Sequence, residues 1–159
     1  MFYYIDGYNL IFTLTDTKRS LMHQRKSAIT FLQKRFALLH FRGLLVFDGS
    51  HQRHEESGLS YANPLHIAYT PKGQTADEYI LEQLEYSHKK SPATVVSNDR
   101  GLCRKARELG ANTQSNEGFL NYLEKKKPKK KITVPKDTTF HINRLIQIFE
   151  EKLKENLDL

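Results

Sequence analysis

Tryptophan is absent and cysteine occurs once, at Cys103, in a chain of 159 residues. One thiol excludes an internal disulfide, a CxxC redox pair and a cysteine-rich zinc site, leaving the ordinary expectation of a buried apolar side chain. Long apolar runs are missing as well. No stretch approaches the roughly 20 residues that span a bilayer, and MFYYIDGYN at the start has neither the basic nor the apolar region of a secretory signal. A cytoplasmic location with no membrane contact is expected. No GxxxxGK[ST] or GxGxxG loop occurs, so nucleotide-triphosphate and dinucleotide enzymes lack their phosphate cradle.

The composition that remains, 38% hydrophobic and 27% charged, is that of a globular chain of a size that buries one core. Its net charge of +7 invites a polyanion as partner, but Lys125, Lys126, Lys127, Lys129, Lys130 and Lys131 supply six of those seven charges. The body is nearly neutral and the basicity is local. A concentrated lysine run attracts phosphate chains, whereas its bland alternative is a solvated linker.

Short apolar runs alternate with helical periodicity. FYYI from Phe2 and LLVF up to Phe47 are each closed by an Asp-Gly pair, Asp6-Gly7 and Asp48-Gly49, read as turns. Between them, from about Lys18 to Phe41, Met22, Ile29, Leu32, Phe36 and Leu39 recur near helical spacing. Residues 50 to 63 are polar and predict an irregular loop before a strand LHIAYT. Thr75 and Glu78 stand at the spacing of a capping box and open a helix to about Lys89, with Asp77 in its first turn. ATVVS predicts a fourth strand, followed by a turn at Asn98 to Gly101, a helix stopped by Gly110 and a short strand near Ala111 to Thr113. A helix from about Asn116 follows. The expected organisation is a domain over residues 1–124, a lysine-rich linker over 125–137 and an amphipathic helix over 138–159 carrying Ile142, Leu145, Ile146, Phe149 and Leu153 on one face. Strands alternating with helices predict βαβ units and a parallel sheet covered on both faces.

Each acid has an ordinary explanation: turn residue for Asp6 and Asp48, helix-dipole partner for Asp77, cap for Glu78 and Asp99. Their shared location changes the reading, because ligands of open α/β sheets bind beyond the carboxyl ends of the strands, where Asp6, Asp48 and Asp99 all fall. Clustered carboxylates raise one another's pKa unless a cation neutralises them, and an all-oxygen donor set favours Mg²⁺ or Mn²⁺. Such ions support in-line attack on a phosphodiester.

YIDGYNLI from Tyr4, FDG from Phe47, YTPKGQTADEYI from Tyr69 and VVSNDRGL from Val95 together resemble the successive motifs of YacP-like NYN domains, over roughly residues 2 to 124. The resemblance implies a PIN-like three-layer α/β fold with a central parallel sheet in the order 3-2-1-4-5, an acidic metal site and endonucleolytic cleavage of RNA. It implies that Asp6, Asp77 and Asp99 are catalytic metal-site carboxylates, with Asp48 a further member and Asn9 a neutral contact. Asn9 has a plainer alternative in the backbone of the turn it follows. Lys72, Arg100 and Arg104, near the same edge, are candidates for phosphate contacts, and Tyr8 for stacking on a base. RNA is the expected partner, alone or in an RNA-rich body such as the ribosome.

Three other readings compete. His51 and His54 have zinc-like spacing but no evident further ligand. A phosphatase of the haloacid-dehalogenase kind needs an Asp-x-Asp pair, and the candidates read Asp6-Gly7-Tyr8 and Asp48-Gly49-Ser50. A non-catalytic RNA-binding or ribosome-associated factor suits the lysines, yet gains nothing from acids where phosphate must approach.

Overall fold

Parity along the strands sets the architecture, because successive side chains of a strand point to opposite faces. In β1 (Phe2–Asp6), Tyr3 and Ile5 join one apolar cluster and Tyr4 joins another. Both faces of this strand are therefore covered. The computed structural model describes residues 1–14, 18–49, 59–60, 63–87 and 92–128. His51, His54, Lys129, Lys130, Lys131 and the expected helix from 138 lie outside the described residues.

The elements after β1 are α1 (Gly7–Leu14), α2 (Leu21–Leu39), β2 (Arg42–Phe47), β3 (Leu59–Ser60), β4 (Leu65–Tyr69), α3 (Ala76–Ser87), β5 (Ala93–Val96), α4 (Arg100–Glu108), β6 (Asn112–Gln114) and α5 (Asn116–Lys125). The sheet order is β3-β4-β2-β1-β5-β6. Its five parallel strands, β4-β2-β1-β5-β6, are the expected 3-2-1-4-5 arrangement. The addition is β3, which pairs antiparallel with the edge of β4 inside a segment expected to be wholly irregular. Helices α1, α2 and α5 cover the Tyr3 and Ile5 face, and α3 and α4 cover the Tyr4 face. This is the three-layer PIN-like α/β fold. Among the described residues no helix is long and apolar enough to cross a membrane.

One expectation is corrected at the end of β1. Asp6-Gly7 is not a turn; the chain passes from strand directly into α1. Gly7 permits this because a Cβ there would stand 2.4 Å from the Phe47 ring and 2.8 Å from the Val46 carbonyl oxygen, well inside van der Waals contact. The backbone of α1 thus lies against β2, which fixes the direction in which the chain leaves Asp6.

The chain divides into a unit over Met1–Lys127 and another over Pro128–Leu159. Within the first, α5 runs away from the carboxyl edge of the sheet. Its start follows β6, whereas near its end Tyr122 stacks on Phe41, the residue preceding β2, with ring centroids 6.0 Å apart. Arg35 of α2 donates to the Leu123 and Lys126 carbonyls, satisfying helix-end acceptors. Lys125 to Lys127 accordingly stand at the opposite edge, about 15 Å along a ten-residue helix from where α5 begins.

Candidate active site

Four acids meet at the carboxyl edge, each delivered by a different piece of the fold. Asp6 ends β1, and by strand parity it shares the α3 and α4 face with Tyr4. Asp48 follows β2 directly. Asp77 lies in the first turn of α3, whose start is a complete capping box: the Glu78 backbone N–H donates to Thr75 Oγ1 at 3.2 Å and the Thr75 N–H donates to Glu78 Oε2 at 3.0 Å. Glu78 is thereby engaged as a cap. Asp99 caps α4, with Oδ1 accepting from the Leu102 N–H at 2.8 Å.

Thr70 ties two of these loops together. Its buried hydroxyl accepts from the Gly49 N–H at 3.0 Å and donates to the Gln74 carbonyl at 2.7 Å, joining the loop after β2 to the one before α3. Gly49 allows the approach, since a Cβ there would lie 2.0 Å from the Thr70 carbonyl oxygen.

Asn9 does for the other side of the site what Thr70 does here. Its Oδ1, expected to face metal or substrate, accepts from the Asn98 N–H at 2.8 Å and from Asn116 Nδ2 at 2.7 Å. Its own N–H donates to Asp6 Oδ1 at 3.3 Å. Asn9 is therefore a positioning residue that holds α1, the β5–α4 turn and the start of α5 in register around Asp6. Asn116, which sequence reasoning passed over, is fully buried, and its amide also reaches Thr13 Oγ1 at 2.9 Å. Asn116→Leu should cost about 1–3 kcal/mol, because it leaves the Asn9 acceptors without that donor, and a denaturant titration checks this.

The electrostatics of the cluster follow from burial and like charge. Asp6 is 9% exposed, and desolvation pushes its carboxyl from the ordinary 3.8 up to about 6; the Asn9 N–H counteracts this, while Asp77, Asp99 and Asp48 add to it. Asp77 is also raised, by burial first and then by Asp99, against the opposing pull of Lys105. Among the described residues no three His, Cys, Asp or Glu side chains converge closely enough to hold one ion directly, so an ion here would be held partly through water. The donor set fits Mg²⁺ or Mn²⁺ on those terms, since a hard ion of this size is commonly bound through one or two carboxylates and keeps several waters.

The basic candidates fall in separate places. Lys72 is exposed in the turn between β4 and α3, at the acidic edge. Arg100 and Arg104 line an open cleft of about 690 Å³ on the other side of that edge, together with Arg107, Thr113, Ser115 and Glu117. Cys103 lines it too, half-buried rather than buried, with its thiol donating to the Ser97 carbonyl at 3.3 Å and pushed up in pKa by burial. Tyr8 belongs to the core, 6% exposed, its ring 5.0 Å from that of Phe47, and is not placed to stack on a base. Lys125 to Lys127 stand at the far edge, where Lys126 Nζ lies 4.7 Å above the Phe41 ring and 4.8 Å above that of Tyr122.

Comparison with known proteins gives a consistent assignment. The family model described as the YacP-like NYN domain matches residues 3–158, so the lysine run and terminal segment fall within the matched span rather than beyond it. A crystal structure of Rae1 (YacP) from Bacillus subtilis superposes with a TM-score of 0.62 at 18% identity, covering 97% of this chain and 91% of that one. Its W164L mutant gives 0.63 at 23% identity, over 77% of this chain and 74% of that one. No curated protein matches.

Proposed function

Because the chain belongs to the YacP-like NYN domain family, a family of PIN-like nucleases, we propose that it is an endoribonuclease that depends on Mg²⁺ or Mn²⁺. The observation that carries the metal reading is the burial of Asp6 among Asp77, Asp99 and Asp48. Carboxylates so arranged repel one another and any incoming phosphate, a charge state that a divalent cation relieves. Asp6, Asp77 and Asp99, with Asp48, would hold the ion, which when bound would lower the pKa of a water and neutralise charge developing on the phosphodiester. The chain's own part is positional. Asn9 and Asn116 keep Asp6 and the Asp99 turn in register, Thr70 does so for the Asp48 and Asp77 loops, and Lys72, Arg100 and Arg104 flank the acids as phosphate contacts.

Circular single-stranded RNA gives the test, since it has no end for an exonuclease. Purified protein with Mn²⁺ should linearise it, EDTA should abolish this, and intact circles alongside degraded linear RNA would refute the endonuclease reading. The lysine run, on this view, holds RNA or an RNA-rich body such as the ribosome without taking part in the chemistry. Replacing its six lysines by Gln should flatten the salt dependence of RNA binding, by about 0.7 in log–log slope for each phosphate no longer neutralised. Single-turnover cleavage at saturating RNA should survive. Equal slopes for wild type and variant would make the run a linker only.

A further inference from the structure

We propose that Arg100, Arg104 and Arg107 of α4 form a phosphate-binding subsite for the stretch of single-stranded RNA flanking the cut. The inference rests on the nuclease reading above and extends it to how the substrate is held. Spacings of four and three residues put the three guanidiniums on one face of the helix, and all three line the cleft of about 690 Å³ between α4, β6 and the start of α5. The stripe begins at the residue after Asp99 and runs about 10 Å along the helix, long enough for more than one phosphate.

Two features distinguish this stripe from an ordinary solvated helix face. A cation in the first turn of a helix opposes the macrodipole, and like charges at this spacing repel, so Arg100 stands where helix stability alone disfavours it. The charge of Arg100 and Arg104 is also available: among the described residues neither is engaged by an acid in an ion pair, and both are exposed. Arg107 is oriented by Thr113, to whose Oγ1 it donates at 2.8 Å. The acid in the wall, Glu117, accepts from the Asn98 amide at 3.1 Å through one oxygen and keeps its charge.

Lys125 to Lys127 stand at the far edge of the sheet from the acids. Phosphates next to the acids need positive charge beside them, and α4 supplies it. Guanidinium forks suit phosphate oxygens through paired hydrogen bonds.

The test compares Arg104→Gln/Arg107→Gln with Lys26→Gln/Lys34→Gln, an equal loss of charge at exposed positions on α2. Arg104→Gln alone is carried in parallel. Binding of a single-stranded oligoribonucleotide is titrated against salt in EDTA, where it is read without cleavage, and melting curves confirm folding. The double arginine variant should flatten the log–log slope by about 1.4, and the single one by about 0.7. The lysine control should leave it near the wild-type value. Arginine variants indistinguishable from the lysine control would overturn the subsite. Should wild type bind with the expected arginine dependence yet fail to cleave RNA with Mn²⁺, the subsite stands and the nuclease reading fails.

Discussion

Asp6→Asn and Asp99→Asn should each yield folded protein that cleaves RNA roughly a hundredfold or more slowly under single-turnover conditions with saturating Mn²⁺, because each removes a charge from the cluster proposed to hold the metal at nearly constant shape. Local structure is preserved for a stated reason in both cases. An asparagine at 99 still caps α4, since Asn and Asp cap about equally, and at 6 its carbonyl oxygen can still accept the Asn9 N–H. A loss of activity is then chemical rather than conformational. Glu78→Gln supplies the comparison: Glu78 closes the capping box, Gln can do the same, and cleavage should stay near the wild-type rate. Rates in both Asp variants within a fewfold of wild type would remove the acids from the chemistry.

The second large effect is on stability and has the opposite sign for Asp6→Asn. With its carboxyl raised from 3.8 to about 6, folded Asp6 keeps a proton between those values that the unfolded chain has given up. Stability therefore falls as pH rises through this window, and the full cost is present above it. A shift of this size corresponds to about 3 kcal/mol at neutral pH. Burial of Asp77, whose pKa moves in the same direction, adds to the trend. In EDTA, Asp6→Asn should be more stable than wild type at pH 7 to 8, with the difference closing toward pH 4. Adding Mn²⁺ should narrow it from the other side, because a ligand that binds only the folded wild type stabilises it. Urea titrations at several pH values, with and without the ion, read all of this. A variant less stable than wild type at pH 8 in EDTA would show that ionised Asp6 is not strained by its neighbours.

The same residues explain what the sequence made legible. The strands were readable because a parallel sheet covered on both faces needs short continuous apolar runs, and FYYI, LLVF and ATVV are bounded by residues that stop them. Thr75 and Glu78 announced α3 because both partners of a capping box lie within four residues. Asp6, Asp48 and Asp99 could be assigned to one edge from topology alone, since all parallel strands end on the same side.

Where the reading failed, the deciding neighbour was distant in sequence. Asp6-Gly7 has turn composition, and only the Phe47 ring packed against Gly7 shows that the glycine serves close approach of a helix instead. Two-residue β3 is too short to carry an alternation and exists by pairing with β4. Asn116 looks like any polar residue at a helix start, and its role depends on Asn9, 107 positions away. Arg107 sits in the last turn of α4, where a cation is ordinary dipole compensation; the cleft formed with β6 and α5 gives it a second meaning.

Whether the buried acidic cluster cuts RNA by means of a divalent ion it holds is tested most directly by single-turnover cleavage. An end-labelled single-stranded RNA is presented to wild type and to Asp6→Asn, each titrated with Mn²⁺ from an EDTA-stripped start. Wild type should be inactive without the ion and rise to a saturating rate, while Asp6→Asn should stay far below it at every concentration. Wild-type cleavage undiminished in EDTA, or a variant that matches it once Mn²⁺ is added, would contradict the claim.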